Sequence, residues 1–258
     1  MTDLHDVYPV VLMLFFAAVA GVVGSFALMK RMLLAGDVMS HLALPGIGIA
    51  LLFHWSPMLG GAASLFAGTL LVAQLQRRTG LANDAMIAVV FAASLALGAA
   101  LTPEADLVEA LFGQFGRLSF FMFVVGMGAV LLVLLYILRS KDQLVLSLFS
   151  PELAATAGVR LGRQNLIFLL IFSLTVLIGL RFMGALLAGA LIMLPAATGR
   201  QVARDLKSFL SISAASGVVS VASGVMISAL TGNQIPLGAT ATMSAALIFS
   251  LTLLRPPR

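Results

Sequence analysis

The amino-acid sequence predicts an all-α bundle of membrane-spanning helices, and three observations carry that prediction. Of 258 residues, 61% are hydrophobic and only 10% charged, whereas a soluble domain carries about 25% charged residues. Apolar runs recur from Pro9 to Leu254 with no polar stretch long enough to fold by itself. The basic residues fall in short clusters between those runs, not on one face. Residues 1–258 therefore read as a single integral membrane domain, and the net charge of +5 reads as a topology signal, not as a nucleic-acid surface.

A helix needs about 20 apolar residues to cross the hydrocarbon core. Taken in order, the candidate segments are Pro9 to Met29, Val38 to Phe53, Met58 to Leu75, Ala85 to Leu101 and Ser119 to Leu138, then Leu166 to Leu180, Gly184 to Thr198, Ser208 to Leu230 and Leu237 to Leu254. That makes about nine; the short ones, starting at Val38 and Gly184, are expected to be broken or re-entrant if they are not full spans, and a count of eight would need one segment not to cross. Met1 to Tyr8 carries Asp3 and Asp6 but no Lys or Arg, so it lacks the basic region of a cleaved signal and the first run is expected to stay as a helix.

Threading the segments alternately collects the basic clusters on one side, from Lys30 and Arg31 through Arg77, Arg78, Arg139 and Lys141 to Arg160, Arg163, Arg200, Arg204, Lys207, Arg255 and Arg258. Only Arg117 and Arg181 of the 15 basic residues fall elsewhere. By the positive-inside rule that side is the cytoplasm. The expected topology has the N-terminus outside and the C-terminus cytoplasmic.

Small residues repeat at four-residue spacing in Ala17, Gly21, Ser25 and in Ser216, Ser220, Gly224, Ser228. Such stripes let helix backbones approach closely, and bundle packing is the role expected of them.

Most ionisable residues lie between segments, so Asp37 and His41 stand out at the start of the second. Their i, i+4 spacing places both on one helix face, with Cβ atoms about 5 to 6 Å apart. A carboxylate and an imidazole so placed can share a divalent cation. The competing reading is that Asp37 caps the helix and His41 bonds locally. His5, in the N-terminal tail, and His54, beside Trp55 and Pro57, read as surface residues.

Between the fifth and sixth segments, Ser150-Pro151-Glu152-Leu153-Ala154-Ala155-Thr156-Ala157-Gly158 has the signals of a short bounded helix at about 151–157. Serine suits the N-cap, proline N1, glutamate the first turn and glycine the terminus. It is either an isolated interfacial helix or a docking element for a cytoplasmic protein.

Other chemistry is limited by what the chain lacks. With no cysteine there are no disulfides, thiolate metal sites or cysteine nucleophiles. No phosphate-binding loop surrounds Lys30, Lys141 or Lys207, so ATP hydrolysis would need a separate subunit. No His-Glu-x-x-His occurs, which weighs against an intramembrane metal-dependent hydrolase built on Asp37 and His41.

Four ordered stretches give the chain a family resemblance. They are Gly24-Ser25-Phe26 through Lys30-Arg31-Met32 to Gly36-Asp37 and Ser40-His41; Asp106-Leu107 with Leu111-Phe112-Gly113; Ser150-Pro151-Glu152-Leu153-Ala154 with Gly158-Val159; and Met183-Gly184-Ala185-Leu186-Leu187 through Leu194-Pro195-Ala196-Ala197-Thr198. In these the sequence resembles the permease subunits of the zinc, manganese and iron uptake group of ATP-binding-cassette transporters. The resemblance departs at Gln114, where Asp is frequent, and at Gly199, where Ala is usual.

That resemblance implies a multi-pass protein of a bacterial-type cytoplasmic membrane, acting as a transport subunit and not an enzyme, without a covalently bound cofactor. It implies a homodimer, one cytoplasmic ATP-binding subunit per copy and an extracytoplasmic metal-binding protein. Asp37 and His41 match the family's metal path. Ser150, Pro151, Glu152, Leu153, Ala154 and Gly158 match its ATPase-coupling helix. The cargo is expected to be zinc, with manganese or iron as alternatives. A stand-alone secondary carrier is the runner-up, since a membrane potential supplies roughly 4.6 kcal/mol per 100 mV to a divalent ion.

Overall fold

Each apolar run of the sequence is helical in the computed structural model, which describes residues 4–32, 35–79, 83–101, 119–183, 185–232 and 235–254. Eleven helices are described: α1 (Leu4–Met29), α2 (Ala35–His41), α3 (Leu44–Leu52), α4 (Pro57–Thr79), α5 (Asn83–Leu101), α6 (Phe120–Phe149), α7 (Pro151–Thr156), α8 (Leu161–Met183), α9 (Ala185–Val202), α10 (Leu206–Leu230) and α11 (Leu237–Leu253). Five stretches are long and apolar enough to cross a membrane: Tyr8–Met29, Pro57–Gln76, Phe120–Phe149, Leu161–Arg181 and Leu206–Leu230. Val38–Leu52, Ile87–Leu101 and Leu237–Leu253 are shorter apolar stretches.

One run extends beyond its expected outline, and another is broken, as its shortness allows. The fifth does not stop at Leu138 but continues helical to Phe149, through Arg139, Lys141 and Asp142. Long basic side chains can reach toward water from such positions. The second run is broken, α2 ending at His41 and α3 beginning at Leu44. Pro45 explains the break: it has no N–H, so the i to i−4 bond to the His41 carbonyl that a continuous helix requires cannot form. Ser64 Oγ of α4 donates instead to the Leu42 carbonyl inside the break, at 2.7 Å.

Helix α1 is the enclosed member of the bundle. Leu12, Met13, Phe16, Ala17, Ala20, Val23 and Phe26 are fully buried, packed among α6, α8, α9 and α10. Helix α6 lies at the periphery, with Phe120, Phe121, Val125, Leu132, Leu135 and Leu138 exposed. Such exposure is unremarkable where lipid, not water, is the solvent.

Helices in lipid gain little from apolar burial, so close backbone approach matters more. Gly21 and Gly224 of the two small-residue stripes, with Gly217 beside the second, serve that purpose. A Cβ on Gly217 would fall 3.1 Å from the Ala17 carbonyl carbon, and one on Gly21 would fall 2.8 Å from that of Ser213, so α1 and α10 touch backbone to backbone. Gly224 meets Ala241 of α11 in the same way, and Thr240 Oγ1 bonds the Gly224 carbonyl at 2.9 Å. Gly199, the departure from the family pattern, has a local cause: a Cβ there would collide with the Ser213 hydroxyl and lie 2.9 Å from the Phe209 carbonyl oxygen.

Candidate functional site

Helix α2 sits inside the bundle, contacted by α4, α5, α8 and α9. Val38, Met39, Ser40 and His41 are all buried. Asp37 is the third residue of this helix and not the residue preceding it, so the N-cap position lies upstream of Asp37. Four residues on, His41 closes the helix, and the two share a face as their spacing requires. The Asp37 side chain itself lies outside the described residues.

The imidazole of His41 is 8% exposed and stands edge-on to Phe91 of α5, with ring centroids 5.4 Å apart. Two residues earlier, and so on the opposite side of α2, Met39 Sδ lies 3.7 Å from Ser173 Oγ of α8, which can donate to it. The hydroxyls of Ser173 and of Thr69 of α4 lie 2.6 Å apart, and each also has the carbonyl four residues before it as an alternative acceptor. Helix α2 is thus bordered by a ring on its His41 side and by a small polar cluster on its Met39 side, from helices far apart in sequence. Phe91, Ser173 and Thr69 carry no signal in the sequence that would single them out.

Among the described residues, no group of three or more His, Asp or Glu side chains is placed to hold a metal ion. A pair of ligands from one chain suits an ion that must be released, since a conducted ion has to bind weakly enough to leave. Closed cages of four ligands belong to structural sites. The stretch containing Asp106, Leu107 and Leu111 to Gln114 lies outside the described residues.

His5 and His54 stand apart from this site. The backbone of His5 belongs to the first turn of α1, not to a tail, and its side chain lies outside the described residues. His54 is exposed and left-handed, φ 56°. Its N–H bonds the Leu51 carbonyl and the Trp55 N–H bonds that of Ala50, a paired termination of α3. His54 is therefore a helix terminator.

The second expected element is also present. Helix α7 runs from Pro151 to Thr156 and ends at Gly158 in the left-handed region, φ 81°. Ser150 occupies the cap position without using its hydroxyl. Its N–H closes α6 on the Leu146 carbonyl, and its carbonyl accepts from Ala154 N, both at 2.9 Å. One residue is thus shared by two helix ends. Glu152 and Leu153 are exposed, Leu153 by 60%, while Ala154 is fully buried against this chain's own helices. Ala154 seats the helix; Glu152 and Leu153 are the side chains it presents outward.

Comparison with known proteins agrees with this architecture over nearly its whole length. The model of the ABC 3 transport family matches residues 7–255. A manganese transport system membrane protein, MntC of Halalkalibacterium halodurans, is 29% identical over 93% of this chain and 83% of its own. The high-affinity zinc uptake system membrane protein ZnuB of Haemophilus influenzae is 25% identical over 91% of each. Among solved structures, PsaBC from Streptococcus pneumoniae in complex with Fab shares the fold at a TM-score of 0.83, with 23% identity, 99% of this chain and 94% of that one. A family match of this extent, on a helical bundle of this form, makes the chain a member of the ABC 3 transport family, a multi-pass permease subunit of the bacterial inner membrane and not an enzyme.

Proposed function

We propose that this permease carries a divalent first-row metal ion into the cytoplasm, with Asp37 and His41 forming part of its path. The supporting observation is α2 itself: a short helix enclosed by four others, ending in a buried imidazole, with a carboxylate-bearing residue one turn earlier on the same face. Relatives named for manganese and for zinc match the chain over similar lengths. Zinc accordingly has no precedence over manganese, contrary to the expectation from the sequence, and carboxylate plus imidazole suits either ion or ferrous iron.

In this reading, residues 1–258 form one permease domain of nine crossings, with the N-terminus outside, and two copies form the working pore. A cytoplasmic ATP-binding subunit docks on α7, at Ser150 to Ala154 and Gly158, and an extracytoplasmic binding protein delivers the ion. ATP binding and hydrolysis on the partner would move α7, and with it α6 and α8, which flank it in sequence. The path then opens alternately to the two sides.

The test is uptake into proteoliposomes containing the permease, its ATP-binding subunit and its binding protein, with manganese and zinc offered in parallel. ATP-dependent accumulation of at least one ion is expected. Vigorous ATP hydrolysis with neither ion accumulating would overturn the proposal.

A further inference from the structure

At the end of the bundle where α1, α6 and α9 finish and α10 begins, a cavity of about 580 Å³ opens between them. Its walls are largely apolar, formed in part by Leu28, Met29, Leu148 and Phe209, and three arginines also line it: Arg31 just after α1, Arg200 in the last turn of α9 and Arg204 in the connection to α10. Among the described residues, none of these three guanidiniums makes an ion pair or a hydrogen bond. The one carboxylate among the described residues lining the cavity, Asp205, is committed elsewhere: it accepts the Ser208 N–H at 3.1 Å in a capping box.

The backbone of Arg31 adds to this. It is left-handed, φ 57°, closing α1 through bonds from its own N–H to Leu28 and from Met32 N to Ala27. Gly158 and Gly232 hold the left-handed positions after α7 and α10. Glycine fits such a position freely, whereas a side chain there is strained. Arg31, like His54 after α3, thus ends its helix in a position that glycine fits more freely.

Depth in the membrane identifies what the cavity faces. Tyr8 packs against Phe123 and Phe120, with ring centroids 5.0 and 6.1 Å apart, an aromatic group of the kind that marks a membrane interface. A hydrocarbon core of about 30 Å corresponds to about 20 helical residues, which takes α1 from Tyr8 to the neighbourhood of Leu28. Helix α6 runs beside it in the same direction, from Phe123 at the level of Tyr8 to Val145 and Leu148 beside Leu28. The cavity therefore begins where hydrocarbon ends, at headgroup depth.

We propose that this cavity is a binding site for the headgroup of an anionic phospholipid, its phosphate held by Arg31, Arg200 and Arg204 and its glycerol end by the apolar wall. Guanidinium suits phosphate because its fork of donors matches the oxygens. Basic pockets between membrane helices are a recurring setting for anionic headgroups. The lipid would tie the ends of α1, α9 and α10 to α6, the helix that carries α7.

Native mass spectrometry of the purified permease from phosphatidylglycerol nanodiscs tests this directly. Wild type should retain phosphatidylglycerol in preference to phosphatidylcholine, and R31Q/R200Q/R204Q should lose that preference by roughly a hundredfold. R139Q/K141Q, which removes two exposed charges outside the cavity, should keep it. L148W fills the cavity without touching charge and should also release the lipid, so the proposal stays testable if the triple variant does not fold. Equal retention by wild type and both cavity variants would overturn it. Displacement by millimolar inorganic phosphate would assign the cavity to a soluble anion instead. Lipid retention unchanged while the ATP-binding subunit no longer copurifies would assign it to that partner.

Discussion

Lys30 Nζ donates a 3.0 Å hydrogen bond to Asn165 Oδ1, joining the residue after α1 to the first turns of α8 across 135 positions of sequence. Asn165 Nδ2 in turn donates to Gln76 Oε1 of α4 at 3.3 Å, and the ammonium lies 5.0 Å from the centroid of the Phe168 ring. One cation thus holds three helix ends together. Burial lowers its pKa from the ordinary lysine value, so the amide and the ring must help offset lost hydration. Replacing it with methionine should cost about 1.5 to 3 kcal/mol, the range for a hydrogen bond to a charged group. Thermal unfolding in detergent would measure it, and K30M combined with N165A should fall short of additivity by more than about 0.5 kcal/mol. Strict additivity would show that the pair stabilises nothing.

In the sequence, Lys30 reads only as part of a basic cluster, because its partner lies on a helix that no local pattern connects to it. The same limit hid the ring of Phe91 beside His41 and the Thr69–Ser173 pair beside Met39. By contrast, Asp37 and His41 were legible because i, i+4 geometry is a local property of one helix. The helices themselves were legible from apolar run length. Their ends were less so: nothing apolar marks Phe149 as the end of α6, and the break after His41 rests on the single residue Pro45.

Two glycine positions on different faces should respond oppositely to the same change. A Cβ on Gly46 would fall 2.5 Å from Ser64 Cβ and 2.7 Å from the Gly60 carbonyl carbon, and α3 and α4 are held by backbone there. Gly46→Ala should therefore destabilise by about 1 to 3 kcal/mol or more, as overpacking does. Gly128 on α6 has nothing within 4 Å, so Gly128→Ala should be neutral or stabilise by up to about 1 kcal/mol. Midpoints of thermal unfolding in one detergent would compare them. Equal responses would contradict the close approach of α3 to α4.

Orientation can be read on a chain with no cysteine. Ser56 and Thr156 are both exposed, one after α3 and the other at the end of α7. Single cysteines at these positions should label from opposite sides of the membrane, Ser56→Cys from outside and Thr156→Cys only after permeabilisation. Labelling of both by an impermeant reagent in intact cells would mean that a segment between them has been miscounted.

Coupling through α7 separates into two kinds of substitution. Glu152→Arg and Leu153→Asp alter exposed side chains and should leave the permease folded while reducing both copurification of the ATP-binding subunit and ATP-driven uptake. Ala154→Trp places a large ring at a fully buried position and should instead displace α7, lowering the stability of the permease alone. Should Glu152→Arg and Leu153→Asp both transport normally, α7 would have no role in docking.

The metal path is tested most sharply at Asp37. Asparagine keeps the shape of aspartate and removes its charge, so it separates two roles that other substitutions confuse. Near the start of a helix an acidic side chain contributes about 0.3 to 1 kcal/mol through the helix dipole, and Asp37 is the third residue of α2. If that were all it did, D37N would lower the unfolding midpoint slightly and leave uptake intact. A carboxylate in the path offsets the desolvation of a divalent ion, which a neutral amide cannot do. Losing only ~1.4 kcal/mol of that stabilisation slows transport roughly tenfold. D37N is therefore expected to fold, insert and bind the ATP-binding subunit, yet to lose ten-fold or more of uptake for both manganese and zinc, with H41A behaving alike. Wild-type rates from D37N with both ions would remove Asp37 from the path and leave His41 to be explained by its packing against Phe91.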